Sequence, residues 1–241
     1  MEDPKISDPL IWKEEEVEKV LVGKVLSPKT YSRSAIEQIL QKAWNLESGF
    51  NVIEITGNAF MFCFSDEVEY HRILRSRPWS VNGLLLNLME RGKYKLCEDF
   101  NFSLCPIWIQ IHNVPMEAMY LENAIRIGGY VGEVVLAEEP RYSGRLFRTF
   151  LRVRVVLDLR KALPSGFWMS KPDGGRNWIS IRYEKLQNFC YNCGKIGHDS
   201  RVCKLEKLMS IVNSGEARYG SWTTTSQSRC QEELIVAVKE G

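Results

Sequence analysis

Residues 190–203 read Cys-Tyr-Asn-Cys-Gly-Lys-Ile-Gly-His-Asp-Ser-Arg-Val-Cys, and no other stretch of the chain restricts its local fold as severely. Three cysteines and one histidine stand at the spacing Cys-x2-Cys-x4-His-x4-Cys, through Cys190, Cys193, His198 and Cys203. Three thiolates at about 2.3 Å and one imidazole nitrogen at about 2.0–2.1 Å satisfy a tetrahedral Zn2+. Two residues between the first cysteines let successive backbone N–H groups face the sulfurs. Gly194 and Gly197 supply the tight backbone that so short a loop demands. A fragment this small holds almost no apolar core of its own, so the metal is expected to supply its folding energy. Four protein ligands leave no open position for water or substrate, so the reading is one structural zinc ion without catalysis.

The wider composition agrees with a reducing, intracellular setting, nucleus or cytoplasm. Seven cysteines cannot all pair, and the three in the cluster are spaced for metal rather than for a disulfide framework. Cys63, Cys97 and Cys105 suit small buried hydrophobes, and Cys230, in a polar tail, reads as a free thiol. No run approaches the roughly 18 apolar residues of a membrane span, so no membrane partner is expected. Met1-Glu2-Asp3-Pro4 lacks the basic flank and apolar block of a secretory signal.

At 241 residues the chain has room for two small domains with tails. After an acidic tail over 1–14, the first unit is expected over 15–105. Val17–Leu26 reads as a strand, Ser32–Trp44 as a helix capped by Ser32 or Ser34, and Val52–Ile55 and Ala59–Phe64 as strands joined by Thr56-Gly57-Asn58. A helix over Asp66–Ser76, with Val68, Ile73 and Leu74 inward, and a strand over Leu84–Leu88 complete the unit. The order βαββαβ is that of ferredoxin-like and RNA-recognition-motif (RRM-like) domains, and the fold class is α+β. A second, smaller α/β region with basic strands is expected over 106–186. Its strands are Ile107–Ile111, Glu133–Ala137, Phe147–Leu159 and Trp178–Tyr183, and its helix, Glu117–Ile127, is stopped by Gly128-Gly129. The zinc knuckle follows over 187–206, then a C-terminal tail over 207–241.

An RNA-recognition motif stacks bases on aromatic side chains of its central strands. Here Phe60, Phe62 and Phe64 share one strand face by parity and are expected to fill the core. That leaves Ala59 and Met61, with Leu21 from the first strand, at the stacking positions, so the platform is missing.

The formal net charge of +2 hides a polarity: residues 141–210 carry fifteen Lys plus Arg against five acids, while residues 1–19 carry seven acids against three lysines. Such a distribution favours a polyanionic partner. Arg148, Arg152 and Arg154 share parity on one strand and are expected to meet phosphates, as are Lys195, Arg201 and Lys204 around the knuckle. Tyr191 is expected to contact a base, with Ile196 as its apolar partner across the loop; the bland alternative packs Tyr191 against its own loop.

These residues together carry a family resemblance. Pro78-Trp79, Ile107-Trp108-Ile109-Gln110-Ile111 with Pro115, Gly132, the arginine-rich strand ending Leu157-Asp158-Leu159, and Tyr183-Glu184-Lys185-Leu186 with Phe189 all precede the knuckle. The chain resembles, over roughly residues 15–222, plant proteins in which a domain of unknown function precedes such a knuckle. Many of these look like the first portion of LINE-type (non-LTR) retrotransposon polyproteins or their stand-alone relatives. Arg218-Tyr219-Gly220-Ser221-Trp222 is similar to a Tyr-Gly-x-Trp element of that family. Where the family usually continues with Leu-Arg-Ala, this chain has Thr223-Thr224-Thr225, a departure expected of a truncated element or of a gene-model end. The resemblance implies zinc and nucleic-acid binding.

The leading expectation is therefore a non-enzymatic binder of single-stranded nucleic acid, RNA ahead of DNA. The rival is a self-assembly protein in which the knuckle is only a clip. A nuclease would need clustered carboxylates, and none gather near the basic region. His71 and His112 have no cysteine at ligand spacing and read as ordinary histidines. The seven tryptophans (Trp12, Trp44, Trp79, Trp108, Trp168, Trp178 and Trp222) are scattered, and most read as core anchors.

Overall fold

The computed structural model describes residues 19–92, 95–229 and 232–238. The acidic tail, Trp12, the start of the expected first strand, Cys230 and the side chain of Cys97 lie outside what it describes.

The first unit runs β1 (Val20–Val25), α1 (Arg33–Trp44), β2 (Phe50–Thr56), β3 (Ala59–Phe64), α2 (Glu67–Arg75), β4 (Trp79–Val81) and β5 (Leu84–Glu90). Its antiparallel sheet has the order β2-β3-β1-β5-β4, the ferredoxin-like arrangement extended by a β4–β5 hairpin at one edge. Local chemistry explains the helices. Ser32 Oγ accepts from the Ala35 N–H and Asp66 from the Glu69 N–H, so each helix starts on a side-chain cap. Asn45 ends α1 in the left-handed conformation. In α2, Glu67 and Glu69 occupy the first turn and Arg72 and Arg75 the last, matching the helix dipole.

Both helices cover one sheet face. Ile36, Leu40 and Trp44 of α1 and Tyr70, Ile73 and Leu74 of α2 meet Phe60, Phe62 and Phe64 in one core. The Trp44 ring lies 5.2, 5.3 and 5.6 Å from those of Phe50, Phe62 and Phe64. The three phenylalanines thus point inward, as their parity requires. Val68 does not: it sits about 140° around the helix from Ile73 and is exposed, and Tyr70 takes the inward place. Leu21 is also a core residue, because it stands opposite Phe62 across β1–β3 and so shares that strand's inner face.

The opposite sheet face is partly closed by the chain that leads to the second unit. Asn87 Nδ2, fully buried, donates to the carbonyl oxygens of Phe102 (3.0 Å) and Leu104 (2.8 Å), and Lys24 lies over the Phe102 ring. Leu85, on the same face, belongs to the core of the second unit.

That second unit is the larger. It comprises β6 (Leu104–His112), α3 (Leu121–Gly129), β7 (Glu133–Glu138), β8 (Arg141–Tyr142), β9 (Arg145–Leu146), β10 (Leu151–Asp158), β11 (Gly166–Ser170), β12 (Arg176–Glu184), β13 (Thr224–Thr225) and β14 (Ile235–Ala237). The sheet order is β11-β12-β6-β10-β7-β14, with β13 pairing parallel to β12, while β8 and β9 form a separate hairpin. Residues after the knuckle are therefore not a mere tail, since β13 and β14 complete this sheet. α3 ends on the Gly128-Gly129 pair, with Gly129 its last residue, but it begins at Leu121 rather than Glu117. A Cβ on Gly128 would stand 2.9 Å from Val134 Cγ2 and 3.0 Å from Val153 Cγ2, so glycine lets the helix lie close on β7 and β10.

Asn87 is one polar bridge between the units. Replacing it with Ala strands two carbonyl groups, and we expect Asn87→Ala to lower stability by about 1–3 kcal/mol, read as a reduced urea midpoint against the wild-type protein.

Candidate metal centre and its surroundings

Phe189 and Ile196 form an isolated antiparallel bridge that closes the first loop of the cysteine cluster. Within it, Cys190 N–H donates to Lys195 O (2.8 Å) and Gly194 N–H to Cys190 O (2.9 Å), while Gly197 N–H reaches back to Asn188 O (2.9 Å). Gly194 and Gly197 both have positive φ, 71° and 108°. Asp199 caps the single helical turn Ser200–Val202 that carries the chain on to Cys203. Ser200 Oγ accepts the Tyr191 N–H (2.8 Å) and lies 3.8 Å from Cys190 Sγ, tying the two halves together.

This framework brings Cys190, Cys193, His198 and Cys203 together, with all four ligand atoms within 4.8 Å of one another. A tetrahedron with metal–sulfur bonds of about 2.3 Å has edges of roughly 3.8 Å, so the donor set fits zinc in chemistry and in size. Cys193 Sγ and His198 Nε2 already stand 3.4 Å apart. Burial pushes the Cys193 thiol up to about 11, and the neighbouring sulfurs add to that. Burial acts the same way at Cys190, but N–H groups of Cys193 and Asn192 outweigh it and hold that thiol below its usual value. A dication is the group that lets three crowded sulfurs ionise together.

The cluster does not hang on a tether. Phe189, Ile196 and Tyr219 are part of the second unit's core, beside Leu163, Tyr183 and Leu186. Tyr219 is the wedge: its Oη donates to Leu163 O (2.7 Å), its ring stands edge-on to Phe189, and it presses on Gly194. Leu163 N–H in turn donates to Gly194 O (2.8 Å). The Tyr-Gly-x-Trp element acquires a physical meaning here. Tyr219 clamps the knuckle, and Gly220 lies beneath the Trp222 ring, where a Cβ would meet ring carbons at 2.3 Å. Of the residues that dock the knuckle, the expected site held Ile196, in another role, and neither Phe189 nor Tyr219. The family resemblance was the only trace of those two in the sequence.

Around the metal centre the expected contact residues divide. Lys204 and Arg201 are exposed and Lys195 is half-buried; Arg201 is held by Asp199 at 2.9 Å. Ile196 is not at the surface, because the bridge to Phe189 turns it into the core. Tyr191 is half-buried, edge-on to Phe189 at 5.6 Å, with its hydroxyl 3.5 Å from Thr224 Oγ1.

The arginine strand requires a correction. Arg152 and Arg154 do share a face of β10, but that face is interior. Arg152 is buried and donates to both carboxylate oxygens of Glu184 at 2.9 Å, reaches Glu138 at 3.5 Å and lies 3.9 Å from the Trp108 ring centroid. Arg154 donates to the carbonyls of Arg75 (3.2 Å) and Arg77 (2.9 Å) in the first unit, and Lys185 does so to Ser76 O (2.7 Å). Arg148 precedes β10 and forms a two-pronged pair with Glu138. Gln110 extends the network to Glu184 and Ser228, and His112, 3.1 Å from Gln110, is held down to about 4 by burial and by Arg182. These cations join structural layers; Arg152 and Arg154 do not face solvent phosphates.

On the other face of the sheet a groove of about 930 Å³ lies between α3 and β11, with Ile127, Tyr130, Phe167 and Ile181 among its walls.

Comparison with known proteins gives two family matches within the chain. Residues 13–90 match a domain of unknown function (DUF4283), and residues 157–205 match a zinc knuckle, so the chain contains both. The second match begins inside β10, well before the first cysteine, as expected if knuckle and sheet form one unit. An uncharacterized protein of Arabidopsis thaliana is 23% identical over 167 residues, 68% of this chain and 49% of its own length. The chain thus spans about half the length of that curated relative. Among solved structures, the Sex-lethal RNA recognition domains 1 and 2 from Drosophila melanogaster align with TM-score 0.26 and 14% identity, covering 56% of this chain and 84% of that one. A Sex-lethal protein/RNA complex aligns with TM-score 0.26 and 12% identity, covering 68% of this chain and 98% of that one. The ferredoxin-like arrangement rests on the strand order itself.

Gly194→Ala tests the docking. With φ at 71° and a new Cβ placed 2.3 Å from the Tyr219 ring, strain and clash act together. We expect a loss of about 1–3 kcal/mol, and a Tyr219 ring freed from Leu163, read as a changed tyrosine environment in near-ultraviolet circular dichroism.

Proposed function

We propose that this protein is a zinc-dependent, non-catalytic, intracellular binder of single-stranded nucleic acid, RNA ahead of DNA, related to the LINE-type retrotransposon proteins of plants. The observation that carries the reading is the four-ligand cluster of a zinc knuckle, held on a sheet with Lys195, Arg201 and Lys204 around it. Zinc knuckles are among the modules that recognise unpaired RNA. One zinc ion would be held by Cys190, Cys193, His198 and Cys203, and it supplies the thiolate charge balance and loop shape rather than a reaction. Lys195, Arg201 and Lys204 meet phosphates, and the outward part of the Tyr191 ring receives a base.

A second reading, self-association, has its own support. After the last cysteine, Leu205, Met209, Ile211 and Val212 are all exposed beside the knuckle, an apolar run that suits a protein contact. In that reading the knuckle orients this run.

Zinc analysis coupled to binding of a labelled oligouridylate separates the two. Cys193→Ser loses one zinc equivalent and the affinity with it. Tyr191→Ala keeps the zinc and weakens binding by about 1–3 kcal/mol. Three phosphate contacts predict a slope of log K against log salt near −2 on a single strand, from about −0.7 per phosphate. Zinc-loaded protein without affinity for the oligonucleotide, but with concentration-dependent oligomers, transfers the case to self-association.

A further inference from the structure

The arginine-rich stretch that the sequence offered as a phosphate surface has its exposed part elsewhere than expected. Arg141-Tyr142-Ser143-Gly144-Arg145-Leu146 folds as the β8–β9 hairpin, separate from both sheets, with Ser143 and Gly144 at positive φ, 48° and 77°, at its tip. Its register, Arg141 opposite Leu146 and Tyr142 opposite Arg145, sorts the four side chains into two faces. The Arg141–Leu146 face is anchored. Leu146 packs against the second unit's core, and Arg141 donates to the carbonyls of Met119 (3.2 Å) and Met116 (3.1 Å) while lying over the Tyr120 ring at 4.7 Å.

The other face presents Tyr142 and Arg145 side by side to solvent; the tyrosine is 58% exposed, and Arg145 has no acidic partner among the described residues. Next to it Phe147 is exposed with the Arg148 guanidinium 4.8 Å from its ring, and Tyr120 is exposed beneath Arg141. Of the two acids that precede the hairpin, Glu138 is buried and engaged with Arg148 and Arg152, and the Glu139 carboxylate accepts the Arg141 N–H at the anchored base. Exposed rings interleaved with guanidinium groups form the surface on which unpaired bases stack while phosphates find cations. A turn built on two positive-φ residues holds the Tyr142–Arg145 pair in place without the entropy cost of a loose loop.

We infer that the β8–β9 hairpin is a second contact for single-stranded RNA, with Tyr142 stacking a base and Arg145 taking a phosphate. It rests on the nucleic-acid reading above, and it makes the protein a two-site binder: a strand long enough to reach both knuckle and hairpin gains affinity by linkage.

The test uses the full chain, zinc-loaded, with fluorescein-labelled oligouridylates of 8 and 20 nucleotides read by anisotropy across a salt series. The Tyr142→Ala/Arg145→Ala double variant is expected to bind the longer strand roughly tenfold more weakly, with the salt slope shallower by about 0.7. Tyr142→Phe alone is expected to keep wild-type affinity. Both tested side chains face solvent, and unchanged zinc content and circular dichroism establish that the fold is intact. If the double variant binds the 20-mer with wild-type affinity and slope while Cys193→Ser has lost it, the hairpin inference is overturned and the knuckle reading stands. If RNA affinity is whole but the sedimentation coefficient of RNA-free protein shifts, the hairpin is a protein contact, and the inference is likewise overturned. A wild-type chain that binds neither strand removes both.

Discussion

The contact between the Tyr219 ring and Gly194 is where the two sources of order in this protein meet. A cysteine-histidine loop shapes itself around a metal but has too little apolar surface to orient itself. The second sheet has a core but no metal chemistry. Phe189, Ile196 and Tyr219 join the loop to that core, while across the seam the Leu163 N–H donates to Gly194 O and the Tyr219 hydroxyl donates to Leu163 O. Zinc would then set the loop's internal geometry, and the sheet its direction. Lys195, Arg201 and Lys204 consequently occupy fixed places relative to β12 rather than sampling the volume of a tethered finger.

The charge asymmetry resolves in the same way, by asking what each cation touches. Part of the basic surplus is internal. Arg152 lies in a buried carboxylate network over Trp108, and Arg154 and Lys185 hold the Arg75–Arg77 backbone of the first unit. Buried pairs of this kind add little net stability over apolar packing, but breaking one strands a charge and costs several kcal/mol. The Arg152 pairs tie β10 to β12 and β7 within one sheet, while Arg154 and Lys185 fix how the two sheets lie together. What remains outside is less than the count suggests: the cations around the knuckle, Arg145 on the β8–β9 hairpin, and Arg160, Lys161, Arg176 and Arg182 elsewhere on the second unit.

Much of this was readable from the residues. Ser32 and Asp66 announced helix starts, the Phe60–Phe62–Phe64 alternation announced the inner face of β3, and the four ligands were fixed by spacing alone. What escaped were facts about the third dimension. Parity put Arg152 and Arg154 together, but parity does not say what will cover their face, and the segments that do, Arg75–Arg77 against Arg154 and Ser228 against Gln110, are remote in sequence. Gly128 stands both at the end of α3 and in its close approach to the sheet, and only the first of these could be read from the sequence. Ile196 looked like a surface partner of Tyr191 because a knuckle was assumed to stand alone; once it docks, its apolar residue turns inward. Val68 was a simpler error of helical phase. The Tyr-Gly-x-Trp element was visible only as a resemblance, since its partner Gly194 lies 25 positions away from Tyr219.

Nuclear relaxation of backbone amides puts the docked knuckle to its most direct test. In the zinc-loaded protein, the account predicts that residues 189–203 tumble with the same rotational correlation time as β6, β10 and β12, and that this identity is lost when Tyr219 is replaced by alanine. A shorter correlation time for the knuckle in the wild-type protein would mean that it moves independently of the sheet, contradicting the claim on which the site's fixed geometry depends.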